Sequence, residues 1–110
     1  MHILQVIKHS PESCPLGNPD KLEIMMNWLK KIEKTSAKYG ITVLGVWTDR
    51  WGHTSWVVFE APNMEVFTKF ELEPENLARV TFNSIETILV TASPETLSFF
   101  TQIKTKTGKA

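Results

Sequence analysis

Every apolar run that reads as a strand in this chain is apolar on both faces. The clearest is Ile41-Thr42-Val43-Leu44-Gly45-Val46-Trp47. Strict alternation puts Ile41, Val43 and Trp47 on one face and Leu44 and Val46 on the other. A small antiparallel sheet under one layer of helices should be polar on its outer side. A second apolar face therefore needs a second cover, and a chain of 110 residues has little left to supply it. The expected cover is a second copy of the chain.

Bulk properties narrow the class. A chain this long is one domain that buries roughly 65% of its unfolded surface, enough for a core without staples. Hydrophobic residues make up 42% and charged residues 22%, ordinary globular values. Twelve basic residues balance twelve acidic ones. Zero formal charge offers no footprint for nucleic acid and no attraction to an anionic membrane. It also makes self-association easier. The lone cysteine, Cys14, fits a reducing compartment. MHILQVIKH has no basic segment ahead of a long apolar region, so it is not expected to be a signal peptide. No apolar run approaches the ~20 residues of a membrane span. The expected location is cytoplasmic.

The order of elements follows from periodicity and breakers. His2 to His9 alternates as a strand, and SPESCPLGN (Ser10 to Asn18) is a breaker-rich loop. Asn18 is placed to cap a helix that has Pro19 in its first turn and stops at Gly40. Its apolar stripe runs through Leu22, Met25, Met26, Leu29 and Ile32. Strand two spans about Ile41 to Thr48, Asp49 to Gly52 turn, and strand three spans His53 to Glu60. Asn63 caps a second helix through Met64, Phe67 and Phe70. Pro74 should break Leu72 to Arg79 into a kink or two short pieces. Strand four covers Thr81 to Thr91, and Ser93-Pro94-Glu95 starts a terminal helix. This divides the chain into a domain at 1–92, a helix at 93–104 packing on the domain or its partner, and a flexible tail at 105–110.

The resulting order is β-α-β-β-α-β plus a helix, an α+β ferredoxin-like pattern with sheet order 4-1-3-2. Order, length and doubly apolar strands resemble the dimeric α+β barrel superfamily. Within it, VLGVWTD (Val43 to Asp49) and SIETILV (Ser84 to Val90) resemble a poorly characterised family of roughly hundred-residue proteins of that fold. The resemblance covers most of residues 1–92. It implies a fold and a homodimer. Members of the superfamily include cofactor-free oxygenases, haem-degrading enzymes, dismutating enzymes and ligand-sensing regulators. A haem-degrading member would carry a histidine on helix two. Met64 to Glu71 has none, and no cofactor is expected.

Several residues could carry chemistry. In a 4-1-3-2 antiparallel sheet the end of strand one lies beside the starts of strands three and four. His9, His53 and Asn83 should therefore gather at one end, with Cys14 and Trp51 as neighbours. Two imidazoles and a thiol could hold zinc or form a thiolate–imidazole pair. No spaced metal motif is present, so the reading adopted is solvated strand ends and loops with no metal. Glu86 sits mid-strand beside Ile88 and Val90. If buried it would have a raised pKa and could act as a base; on an open edge it would simply meet solvent. Trp47 and Trp56 could line an aromatic pocket or fill the core or a dimer interface. Gln5 shares a face with Ile3, Ile7 and His9, as a structural link or a ligand contact. Phosphate loops, nucleophile elbows and paired metal ligands on a helix are all absent from the sequence.

These residues lead to one expectation and two alternatives. The expectation is a homodimer binding a small apolar or aromatic ligand, with Gln5, Trp47, Trp56, His53 and Asn83 as contacts. One alternative is a cofactor-independent oxygenase or isomerase with Glu86 or His9 as base. The other is an interaction protein with no pocket.

Overall fold

The computed structural model describes residues 1–108. It contains β1 (His2–Lys8), α1 (Pro19–Ala37), β2 (Thr42–Asp49), β3 (Thr54–Glu60), α2 (Met64–Glu71), α3 (Pro74–Val80), β4 (Ser84–Val90) and α4 (Ser93–Lys106). The four strands form one antiparallel sheet in the order β2-β3-β1-β4. This is the ferredoxin-like order expected from the sequence. Leu72 and Glu73 separate α2 from α3, and Pro74 opens the second piece.

One face of the sheet packs under α1, α2 and α3. Ile3, Ile7, Val57 and Phe59 point into it and meet Trp28 and Ile32 of α1 and Phe67 and Phe70 of α2. Phe59, Phe67 and Phe70 stack with centroids 5.2 to 5.6 Å apart, two of the three pairs edge to face. Alternation on β1 is clean: Ile3, Gln5 and Ile7 are buried, while Leu4 and Val6 are half-covered on the other side.

The buried face also carries a polar network. Arg79 is 1% exposed. Its Nη2 donates to Gln5 Oε1 at 2.6 Å, and its guanidinium lies 4.7 Å from the Trp28 ring. Gln5 Nε2 donates to Thr87 Oγ1 at 3.2 Å and to Glu71 Oε2 at 3.4 Å. Trp28 Nε1 donates to Asn76 Oδ1 at 2.9 Å. Burial pulls the Arg79 pKa down to about 10, against the opposing field of Glu71. Burial likewise raises the Glu71 carboxyl, opposed by Arg79 and Gln5.

Strand β2 departs from strict alternation. Its register against β3 shifts between Val43 and Gly45, a bulge that leaves Leu44 out of the pairing. Val43 and Val46 therefore both face the helices, opposite Phe59 and Val57, while Trp47 turns to the outer face opposite Trp56. The expected grouping of Val43 with Trp47, and of Leu44 with Val46, is corrected by that extra residue. The Trp47 ring lies where a Cβ on Gly45 would sit, so a larger residue there would have to displace the ring.

None of the described residues covers the outer face. Leu4, Val6, Trp56, Val58 and Ile88 lie there half-exposed, flanked by Leu44 at 49% and Trp47 at 56%. Helix α4 buries none of its residues, and Leu97, Phe99, Phe100 and Ile103 stand open to solvent. The molecule measures 59 × 31 × 18 Å. Helix α4 runs to Lys106, two residues past the expected end. Residues 109 and 110 of the expected flexible tail lie outside the described residues.

Candidate functional site

The site forms where β1 ends and β3 and β4 begin. Lys8 pairs with Thr54 on one side and Ser84 on the other, which places His9 beside His53 and close to Asn83. The His9 amide donates to the His53 carbonyl at 3.2 Å. Their rings meet edge to face, and His9 Nε2 and His53 Nδ1 share a hydrogen bond at 3.2 Å.

His53 is held by the β2–β3 turn. Asp49 Oδ1 accepts from the Trp51 amide at 3.1 Å and the Gly52 amide at 2.9 Å. A Cβ on Gly52 would push that carboxylate out of its place in the turn. Next along the chain, His53 takes a left-handed conformation, φ 54, uncommon for a residue with a side chain. That backbone turns its imidazole toward His9.

Cys14 arrives from the loop before α1. Two single 3₁₀ turns, Pro11–Ser13 and Pro15–Gly17, flank it. Asn18 precedes α1, but its side chain does not cap the helix. Its Nδ2 instead donates to the carbonyls of Cys14, at 2.8 Å, and Glu12, at 3.1 Å, and pins the loop. The expected side-chain cap is thus replaced by a loop clamp. His9, Cys14 and His53 are all half-buried, with one ligand atom from each within 4.8 Å of the others. They are not the freely solvated strand ends and loop expected from the sequence. Burial and the neighbouring His53 lower the His9 pKa below its ordinary 6.5, with Asn83 acting in the other direction.

A cavity of about 210 Å³ opens beside this trio. Ile7, Leu22, Met25 and Leu29 form its apolar wall, with Leu16 and Pro15 at the rim. This explains why Leu22 and Leu29 of the α1 stripe stay exposed at 39% and 52% while Trp28 and Ile32 are buried. Asn83 is 7% exposed and lines the same cavity. Its Nδ2 donates to the Arg79 carbonyl at 2.8 Å, and its Oδ1 is buried without a partner.

The other candidates lie elsewhere. Gln5 is sealed in the Arg79 network, so its amide links protein groups to one another. Trp47 and Trp56 face each other across β2 and β3 on the outer face, away from the cavity. Glu86 also belongs to that face, opposite Val6, and is exposed. Trp51 is 90% exposed in the turn. Leu22, Met25 and Leu29, which the sequence places only on the apolar stripe of α1, are cavity residues. The signal for them was a stripe with more apolar residues than one helix needs to bury.

No protein-family model matches the chain, and none of the curated proteins matches it. Solved structures do. An antibiotic biosynthesis monooxygenase is similar with a TM-score of 0.54 and 12% identity, over 86% of this chain and 100% of that one. A NIPSNAP domain protein of uncharacterised role from Burkholderia xenovorans is similar with a TM-score of 0.51 and 15% identity, over 84% and 96%. At these identities the likeness establishes the shared ferredoxin-like α+β fold.

Proposed function

We propose that this protein binds a small apolar or aromatic molecule in the cavity between α1 and the end of the sheet, and does so as a homodimer. The observation that carries the reading is the cavity itself, with an apolar wall and His9, His53, Asn83 and Cys14 gathered at one end. That division, with a few convergent polar groups on an apolar lining, is how small-molecule sites fix orientation. A volume near 210 Å³ falls below the ~300–1,000 Å³ of drug-sized pockets, so the ligand is small. Support for the homodimer comes from the uncovered apolar outer face and the unpacked α4. An interaction protein without a pocket fits the cavity poorly.

The test is a thermal-shift and NMR titration with small aromatic and quinone-like compounds. Binding should move the resonances of Ile7, Met25 and Leu29, and Leu29→Trp, which fills the cavity from its open side, should abolish it. Absence of any shift, or shifts unaffected by that substitution, would remove the reading.

A second reading is favoured by His9, whose imidazole stands at the cavity wall with its proton affinity lowered by burial and by His53. A neutral imidazole there can take a proton from a bound acidic phenol or carbon acid, as a cofactor-independent oxygenase or isomerase requires. The likeness to an antibiotic biosynthesis monooxygenase is compatible with such chemistry. Glu86, exposed on the opposite face, suits the role less well. Oxygen uptake or isomerisation of compounds that bind, lost in His9→Ala, would establish it. Binding without turnover would leave the binding reading alone. A cytoplasmic location belongs to the same proposal and is supported by the single thiol. No described helix is long and apolar enough to cross a membrane.

A further inference from the structure

We propose that His9, Cys14 and His53 bind one transition-metal ion of the zinc class at the mouth of the cavity, with Asn83 orienting the His9 ring. Two nitrogens on adjacent corners of a zinc tetrahedron, each ~2.0–2.1 Å from the metal, stand about 3.3 Å apart. His9 Nε2 and His53 Nδ1 already stand 3.2 Å apart. A thiolate on a third corner would lie about 3.6 Å from each nitrogen, given a Zn–S distance of ~2.3 Å. Cys14 Sγ is within 4.8 Å of a ring nitrogen of each histidine, in a loop whose hydrogen bonds all run through its backbone and leave the thiol free to turn. About an ångström of closure completes three corners.

The chemistry of the donors agrees. Two imidazoles and a thiolate favour zinc or copper over magnesium or calcium, which take oxygen ligands. Three protein donors leave a fourth tetrahedral position, and the cavity lies beside it. Binding balances simply. The Cys14 thiol loses its proton to solvent as the sulfur–metal bond forms. The ring that donates the His9–His53 hydrogen bond gives that proton to solvent and takes one up on its other nitrogen, so each neutral ring carries its single N–H on the nitrogen away from the metal.

That last requirement gives Asn83 its place. A metal-bound histidine donates its other N–H to a carbonyl or carboxylate, which fixes the tautomer. Asn83 Oδ1 is buried, has no hydrogen-bond partner and lies in the same cavity wall as His9. Its Nδ2 is fixed on the Arg79 carbonyl, so the amide cannot turn to present nitrogen without losing that bond. An oriented acceptor that the His9 ring approaches without closing a normal hydrogen bond is placed to complete a ligand-positioning contact. It also stands independently of whether the cavity takes an organic ligand.

The experiment uses untagged, reduced protein with cobalt(II) alone, then zinc(II) as competitor, with no organic compound present. One equivalent of cobalt should give intense visible bands of tetrahedral geometry and a thiolate-to-cobalt charge-transfer band, both bleached by zinc. Cys14→Ser should lose the charge-transfer band. His9→Ala and His53→Ala should each weaken binding tenfold or more, and Asn83→Leu should weaken it about tenfold with the cobalt spectrum retained. His2→Ala should change nothing. Each variant is checked for unchanged metal-free melting; where one fails to fold, methylation of Cys14 on the intact wild type replaces it. Only octahedral cobalt spectra, or binding that survives Cys14→Ser and both histidine changes or depends on His2, would overturn the site. Titration of aromatic compounds into chelator-treated protein tests the cavity separately.

Discussion

The Tyr39 hydroxyl donates to Glu73 Oε1 at 2.7 Å and ties the end of α1 to the junction between α2 and α3. Lys38 Nζ lies 3.4 Å from the same oxygen. The tyrosine hydrogen bond, ahead of the lysine, holds the Glu73 carboxyl below its ordinary 4.5. The same bond, with burial and nearby Glu75 assisting, holds the Tyr39 phenol above 10. The two signs define a window. A depressed carboxylate stabilises the fold above its unfolded value and loses that contribution as pH falls through the folded one. A raised phenol stabilises below its unfolded value and loses its contribution as pH rises toward the folded one. The link is therefore complete between about pH 4.5 and pH 10. Tyr39→Phe should lower the melting temperature inside that window, with the difference from wild type shrinking at both ends. Melting curves across pH check this, and a pH-independent difference would sink it.

Arg79 sets a larger effect. It is sealed beneath α1 with Gln5, Glu71 and the Trp28 ring as its surroundings. Removing one member of a buried charged network leaves the others unpaired, at a cost of roughly 3–5 kcal/mol. Arg79→Ala should lose about that much in urea denaturation. Arg79→Lys should recover little, because an ammonium keeps the charge without the planar fork that reaches Gln5 and stacks on Trp28. A lysine variant as stable as wild type would show that charge alone matters there.

Asp49 holds the turn that aims His53. Its carboxylate accepts from two amides, those of Trp51 and Gly52. Asp49→Ala removes the one oxygen that accepts both bonds, at an exposed site, and a loss of about 1 kcal/mol is expected. The more telling readout is local. The Hε1 resonances of His9 and His53 should shift and broaden in the variant, while methyl resonances of Ile3 and Val57, deep under the helices, stay in place. Unchanged histidine resonances would mean that the left-handed backbone of His53 is held by something other than the turn.

The meeting of His9 with His53 was legible in the sequence because it depends only on strand order and antiparallel register. Both follow from turn and breaker positions. Cys14 joined them less predictably, since its place depends on two 3₁₀ turns and on Asn18 facing backward instead of capping α1. Local propensity at Asn18 favoured the cap, and two loop carbonyls outcompeted it. The bulge at Leu44 was not legible, because one extra residue in β2 leaves the composition of the run unchanged while turning Trp47 to the other face. Arg79 was hidden for a different reason. A lone arginine in a short helix reads as surface, and only its long-range partners Gln5 and Trp28, brought in by β1 and α1, make burial tolerable. Glu86 is a candidate from its place among apolar residues in SIETILV, and Trp56 from its place in the β2–β3 hairpin. Register settles their face, because both sit opposite Val6 on the side away from the helices.

Val6 is the place to test what covers that outer face. It lies on the central strand β1, between Trp56 of β3 and Glu86 of β4. A lysine there in a monomer would reach water and could pair with Glu86 across the strands, a favourable neighbour worth a few tenths of a kcal/mol. In a homodimer closed over the sheet, the same lysine would be driven into the middle of an apolar interface that must bury about 1,600 Å² to be stable. Its ammonium would then be desolvated with at most an edge partner. Wild-type protein should therefore sediment as a dimer at micromolar concentration and Val6→Lys as a folded monomer. If α4 packs on the partner, its amides should also exchange faster in that variant, while those of β1 and β3 stay protected. A wild type that sediments only as monomer, or a Val6→Lys variant that remains dimeric, would place the cover of Leu4, Val6, Trp56 and Val58 somewhere other than on a second copy of the sheet.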